Sequence, residues 1–319
     1  MRNPDHMDLV EQWPCCNVCG EALVPYLPEV FDLLTMEIFA VSRCSHCGLG
    51  HTVPQPIDLG RYYVQQYYGN RHGFTLRHCV NRRKGFVEST VGAGDGRRIL
   101  DIGCGDGSFL LAMKACGWHV MGTELNPEPA RSKGLDVKER IEEIVSKNQF
   151  DCITMWHTLE HMCDIPFILG CANSLLKQKG KLLISVPDWG GLQSRIFGSK
   201  WLHCDVPRHL YHFDTGSLQY ALSSAGFSIE RRWHQEIEYD LLGWSQSALN
   251  FLFSQSNMYF YTLTGKTSNT NSILTVTSFL LGSLLMVLSL PALVAGTALG
   301  RGGSLIVVAN KNPIQEDPC

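Results

Sequence analysis

Between Phe74 and about Gln235, short apolar runs alternate with segments whose apolar residues recur every three or four positions. The first pattern fits buried strands and the second amphipathic helices, so their alternation predicts βαβ units around a parallel sheet. Ile99-Leu100-Asp101-Ile102 reads as a strand, and a helix follows from about Ser108. That helix stops at Gly117, a residue suited to the left-handed position after a helix. Trp118 to Glu124 is the next strand, Ile141 to Lys147 a helix, and Phe150 to Met155 a further strand. Ile165 to Leu176 places Ile168, Cys171, Ala172, Leu175 and Leu176 at helical spacing, and Lys181 to Val186 is continuously apolar. Thr215 caps a helix with Leu218, Ala221, Leu222 and Ala225 on one face and Gly226 at its end. Phe227 to Trp233 and Ser304 to Asn310 complete the strands.

Outside this region the pattern breaks. The first residues, to about Pro56, carry paired cysteines, and a tyrosine-rich connector (Tyr62, Tyr63, Tyr67, Tyr68) follows. After Asp240 only Lys266 is charged before Arg301. Ile273 to Leu299 has no charge and is rich in Leu, Val and Ala, which makes it a membrane-span candidate. Leu241 to Leu263 mixes Trp244, Phe251, Phe253, Tyr259 and Tyr261 with Ser, Gln and Asn, as an amphipathic leg at an interface does. Pro291 divides the apolar run, and the remainder after it is too short to span ~30 Å of hydrocarbon. The expected organisation is a ribbon over 1–60, an α/β core over 61–235, a membrane-associated helical hairpin over 236–300, and a last core strand and tail over 301–319. If the strand ending near Trp233 neighbours the last strand, the hairpin must enter and leave by one membrane face, as a re-entrant or interfacial element. A hydrophobic dimerisation arm or a buried core pair is the competing reading.

The turn Asp101-Ile102-Gly103-Cys104-Gly105-Asp106-Gly107 sits directly between a strand and a helix. Glycines let the backbone turn sharply and approach a ligand, and the helix N-terminus offers free N–H groups. Ser108 follows Gly107, so the third glycine of a dinucleotide fingerprint is missing. Glu124 ends the next strand, where a carboxylate accepts both hydroxyls of an adenosyl ribose.

On these residues the chain resembles the class I S-adenosylmethionine (SAM)-dependent methyltransferases. Asp101 to Gly107 matches their first motif, Glu124 their ribose-binding acid, and Phe150-Asp151 with Leu159-Glu160-His161 their fourth-strand region. The resemblance covers about Phe74 to Asn310 and implies a doubly wound, seven-stranded Rossmann-like α/β fold. It implies a cofactor site of Asp101, Gly103, Cys104, Gly105, Gly107, Glu124, Leu125, Trp156 and His157, with SAM as cofactor. The family's acidic residue for the adenine amino group, after the third strand, has no clear counterpart. Trp201 and Pro207-Arg208-His209-Leu210-Tyr211-His212-Phe213 resemble a bacterial subgroup found with surface-polysaccharide and lipid-linked glycan pathways, often carrying an N-terminal zinc ribbon. Methyl transfer from a sulfonium is a displacement that needs alignment and a base for the acceptor proton. His209 is the first candidate base and His157 the second, and Arg208 is placed to hold an anionic acceptor group. Arg208 and His209 serve equally well as anchors of the loop.

Cys16-x-x-Cys19-Gly20 and Cys44-x-x-Cys47-Gly48 are two knuckles whose thiolates converge on one structural zinc ion. Cys15 is an alternative to Cys16, and His46 a possible competitor. The chain has 319 residues and 13 cysteines, with no apolar signal segment from Met1 to Gln12. These features fit a reducing compartment, and the expected location is the cytoplasmic face of a membrane. A net charge of −3 gives no electrostatic reason for a nucleic-acid partner. The function expected is methyl transfer to a lipid-linked or membrane-presented acceptor, a glycan or a lipid. Its rivals are a soluble sugar-nucleotide or small-molecule methyltransferase with the hairpin as an oligomerisation arm, and a catalytically inactive SAM-binding adapter.

Overall fold

The computed structural model describes residues 15–32, 35–63, 75–253, 257–264 and 272–313. The connector beyond Tyr63, the first residues to Gln12 and Lys266 lie outside the described residues. In chain order the early elements are β1 (Leu23–Phe31), β2 (Ile38–Cys44), β3 (Gly50–Val53), α1 (Leu76–Val91), β4 (Arg98–Ile102) and α2 (Ser108–Ala115). β5 (His119–Thr123), α3 (Glu128–Arg131), β6 (Val137–Lys138), β7 (Phe150–Trp156), α4 (Ile165–Leu175), β8 (Leu176–Pro187) and α5 (Leu192–Phe197) follow. The last are β9 (Tyr211–His212), α6 (Thr215–Ser224), β10 (Phe227–Trp233), α7 (Ile237–Leu252), α8 (Met258–Leu263), α9 (Ser272–Leu288), α10 (Leu290–Ala298) and β11 (Ser304–Lys311).

The chain divides into two compact units. One unit joins Met1–Leu76, Pro187–Ser217 and Trp233–Leu305; the other joins Arg77–Val186, Leu218–Arg232 and Ile306–Cys319. The cysteine ribbon shares its unit with the segment after β8 and with the C-terminal insertion.

A seven-stranded sheet runs in the order β10-β11-β8-β7-β4-β5-β6. β4 pairs in parallel with β5 and β7, β5 with β6, and β7 with β8. Counting only these strands along the chain, the order is 6-7-5-4-1-2-3, the doubly wound plan with its last strand inserted between the fifth and sixth. β11 lies beside β10, as the closed insertion requires. Ile99, Leu100, Ile153 and Leu182 are fully buried, which is why these strands read as unbroken apolar runs. α2 buries Phe109, Leu110 and Met113, each stabilising by ~1.5–3 kcal/mol. α4 is capped by Asp164, which accepts from Phe167 N at 2.9 Å. Its buried stripe is Ile165, Leu169, Ala172 and Leu175, turned from the Ile168–Cys171 face read from sequence. The helix expected over Ile141 to Lys147 is only a single 3-10 turn, Ile141–Glu143. Ile141 is its buried residue and Val145 is 88% exposed, so a longer helix would have no apolar face to bury.

The other unit holds an antiparallel sheet, β1-β2-β3-β9, over a core that includes Val30, Phe39, Val41, Tyr62, Trp189 and Trp201. Its insertion is closed at the base by a polar clamp. Ser304 Oγ donates to Asp240 Oδ1 at 2.8 Å, Gln193 Nε2 donates to the Asp240 carbonyl at 2.8 Å, and Trp201 Nε1 donates to Gln193 Oε1 at 3.1 Å. α7 turns polar residues inward: Leu202 N donates to Ser247 Oγ at 2.9 Å and Asn250 Nδ2 to the Lys200 carbonyl at 3.0 Å. At its C-terminal end Phe251 and Leu252 are 60% and 64% exposed. α9 and α10 meet at a 44° bend near Ser289. Among the described residues no single helix is long and apolar enough to cross a membrane, although that bent pair qualifies by length and composition.

Burial pushes the Asp240 carboxyl up to about 8, against the hydrogen bond from Ser304. The folded protein therefore keeps a proton that the unfolded chain releases near pH 4, and this group's contribution to stability falls as pH rises from 4 through 8. Asp240→Asn should shrink the loss of urea-unfolding stability between pH 5 and pH 8, by up to ~1.4 kcal/mol per pH unit. An unchanged pH dependence would mean that Asp240 is ionised in the fold.

Candidate functional site

β4, β5 and β7 end side by side, and the loop after β4 is tied to β5. Gly103 N and Cys104 N both donate to the Thr123 carbonyl, at 2.8 and 3.0 Å. Gly103, Gly105 and Gly107 have φ of +75°, +56° and +75°, the region where a side chain is strained. Space separates their roles. A Cβ on Gly103 would lie 2.4 Å from Thr158 Cγ2, and one on Gly107 2.3 Å from Leu135 Cδ1, whereas one on Gly105 would meet nothing within 4 Å. The outer glycines thus close the turn onto the protein while the middle one leaves open space above exposed backbone.

Glu124 stands at the end of β5 and addresses that space. Its Oε2 accepts from Gly105 N at 2.9 Å, and its Oε1 lies 3.5 Å from Asn126 N. Leu125 beside it is 81% exposed. Asp101 is buried and accepts from Thr154 Oγ1 at 2.6 Å; burial lifts its carboxyl to about 7, against the Thr154 hydrogen bond and the nearby Arg83 charge. It braces the base of the turn. Cys104 is buried too, and its thiol, raised by burial, lies against Gly122. Only its backbone is offered to the loop. At the end of β7, Trp156 packs edge-on to Phe109 at 5.9 Å with the Arg83 guanidinium 5.4 Å over its ring. His157 has φ +51°. Its Nε2 lies 3.4 Å from Ser185 Oγ and its Nδ1 3.6 Å from the buried Glu160 carboxylate.

All nine residues expected at the cofactor site thus fall in one unit, on or beside the C-terminal ends of β4, β5 and β7, where ligands bind in open α/β sheets. Thr154 and Thr158 were missed. Thr154 was visible as a polar residue in the apolar stretch Cys152 to Trp156 of β7, which demands a buried partner.

The remaining candidates belong to the other unit. The Sγ atoms of Cys16, Cys19, Cys44 and Cys47 all lie within 4.8 Å of one another, with Cys16–Cys47 at 3.6 Å and Cys19–Cys44 at 3.4 Å. Four thiolates ~2.3 Å from a tetrahedral ion would stand about 3.8 Å apart, so the set fits zinc. Val18 N donates to Cys16 Sγ, and His46 N and Cys47 N to Cys44 Sγ, each at 3.4 Å. Cys15 is exposed and outside the cluster. The contact with Cys47 and the neighbouring His51 hold the Cys16 thiol below the ordinary thiol range, while the same contact and burial push Cys47 up, so without an ion one proton is shared unevenly across the pair.

Arg208 is buried, and its Nη2 donates to Asp32 Oδ1 at 2.8 Å and to Asp205 Oδ1 at 2.6 Å. These ion pairs tie the guanidinium to its own loop and to the residue after β1. His209 is buried with Nδ1 2.9 Å from the His203 carbonyl. A carbonyl only accepts, so Nδ1 carries a proton and donates to it.

Residues 77–231 match the family model of a methyltransferase domain. The chain is 27% identical over 157 residues to the "Ubiquinone biosynthesis O-methyltransferase" of Bordetella bronchiseptica, spanning 44% of this chain and 65% of that protein. It is 30% identical over 150 residues to the protein of the same name from Klebsiella pneumoniae, covering 42% and 62% respectively. The chain thus spans somewhat less than two thirds of these relatives. It also overlays on a solved 1,6-didemethyltoxoflavin-N1-methyltransferase from Burkholderia thailandensis with a TM-score of 0.49 and 13% identity, covering 91% of this chain and 100% of that one.

The three glycines should respond differently to alanine. Gly105→Ala should cost only the left-handed backbone strain, ~1–2 kcal/mol. Gly107→Ala should add the overpacking against Leu135, a further ~1–3 kcal/mol. Denaturant midpoints of the two variants without ligand check this; equal losses would contradict the open space at Gly105.

Proposed function

We propose that this protein is a SAM-dependent methyltransferase with a structural zinc site, working at the cytoplasmic face of a membrane on a lipid-linked or membrane-presented acceptor. The observation that carries the SAM reading is the open space over Gly105 with Glu124 hydrogen-bonded beneath it. SAM supplies a methyl group activated on a sulfonium sulfur. Glu124 would accept the ribose hydroxyls, the loop backbone would face the methionine portion, and Trp156 and His157 would border the donor pocket. The named relatives are O-methyltransferases, and an oxygen acceptor suits a histidine base. As the new C–O bond forms and the C–S bond breaks, the hydroxyl proton must leave. His209 is the first choice for that proton, and His157 the second. Arg208 serves as a positioning residue that holds the His209 loop.

The membrane reading rests on α9, whose polarity is inside out. Ser278 and Gly282 face inward, Gly282 against the Tyr259 ring, whereas Ile273, Val276, Leu280, Leu284 and Val287 stand more than half exposed. A helix packed on a water-soluble body turns its leucines inward, so this face is built for an apolar surrounding. The placement of β11 beside β10 returns the chain to the side from which it left. A second copy of the chain, as an oligomerisation arm, is the reading this must displace.

Two outcomes are expected. Glu124→Ala should weaken SAM binding by roughly 1–3 kcal/mol in calorimetry, the cost of leaving ribose hydroxyls unpaired; unchanged affinity in a folded variant would remove Glu124 from the site. Leu280→Glu combined with Leu284→Glu should move the protein from the membrane to the soluble fraction with SAM affinity intact. Wild-type protein that is freely soluble as a dimer without detergent would instead make α9 an oligomerisation arm.

A further inference from the structure

We infer that His51 mechanically couples the four-cysteine site to the loop carrying Arg208 and His209. This inference rests on the zinc reading above. His51 is 2% exposed, with Nε2 3.4 Å from Cys16 Sγ and its ring packed edge-on against Tyr211 at 5.1 Å. In the strand register it stands opposite the same Tyr211, and β9 is the edge strand of this sheet with β3 as its neighbour. A two-residue strand does not hold itself in place, so the loop takes its position from β3.

The residues on either side of His51 complete the grip. Thr52 N donates to the Leu210 carbonyl at 2.9 Å, and Thr52 Oγ1 donates to the His209 carbonyl at 2.6 Å while lying 3.0 Å from His212 Nε2. At Gly50 a Cβ would come within 2.8 Å of His212 Cβ, so the strands approach more closely than a side chain allows. Residues 50–52 thus hold 209–212, and the central one reaches a cysteine sulfur. A metal-bound thiolate has no proton to give, so His51 Nε2–H donates to Sγ, as outer-shell groups of metal sites do. Metal at the four thiols fixes Cys16; Cys16 orients His51; and His51 sets the strand on which the loop rests. His51 is a positioning residue, acting through both neighbours.

The full-length protein tests this in three steps. Metal analysis should find about one zinc per chain. Removing zinc with a chelator should speed amide hydrogen exchange in peptides over 205–214 by at least ~10-fold. In cobalt-substituted protein, His51→Ala should shift the thiolate-to-cobalt charge-transfer band, weaken metal affinity ~10–100-fold and speed exchange over 205–214. His51→Gln, whose amide also donates, should restore both the band and the slow exchange. A space-filling role alone would leave the band unmoved. If His51→Ala fails to fold, His51→Gln and the chelation arm still decide. Zinc present with exchange over 205–214 indifferent to its removal, or a band unmoved by His51→Ala, overturns the coupling and leaves the zinc reading standing. A wild-type protein without zinc overturns both.

Discussion

The position of β11 between β10 and β8 is the constraint on which the rest depends. Because the strand before the insertion and the strand after it are sheet neighbours, everything between Trp233 and Ser304 must return to where it began. The clamp of Asp240, Gln193 and Ser304 sits at that closure. A neutral Asp240 suits such a place, since an unpaired buried charge would be far more costly than a shared hydrogen bond. The insertion therefore has a rigid polar base and a distal helix with an apolar face turned outward.

The same economy of contacts governs the ribbon. Two cysteine knuckles make a small element with little core, and such elements need a staple. The four-thiol cluster provides the geometry for one, and the ribbon then lends its last strand to β9. The Arg208–Asp32 pair, both partners buried, ties the same loop to the end of β1. Breaking one partner of a pair like this leaves an uncompensated buried charge.

Much of this was legible in the sequence, and the reasons differ by site. The Asp101–Gly107 turn and Glu124 were readable because left-handed backbone and strand-end position are local properties. The alternation from Ile99 to Trp233 was readable for the same reason. The partner of Arg208 was not, because Asp32 lies far back in the chain and no local pattern links them. The inward contacts of α7 were not legible, because hydropathy records that Ser247 and Asn250 are polar but not that Leu202 N and the Lys200 carbonyl await them. The segment after β6 was misread as a helix because its apolar spacing is helical while only Ile141 finds a core to enter. His51, between a glycine and a threonine, carried no signal of its own.

The central claim is methyl transfer to an acceptor presented by a membrane. The most direct measurement incubates the full-length protein with SAM carrying a labelled methyl group, in separate reactions with cell-envelope and soluble extracts, followed by mass analysis of labelled products. The account predicts label in an envelope-derived, lipid-extractable product whose mass has risen by one methylene. Label confined to a water-soluble sugar nucleotide or other small molecule would contradict the membrane acceptor, and no transfer to any fraction by a protein that binds SAM would contradict the enzyme itself.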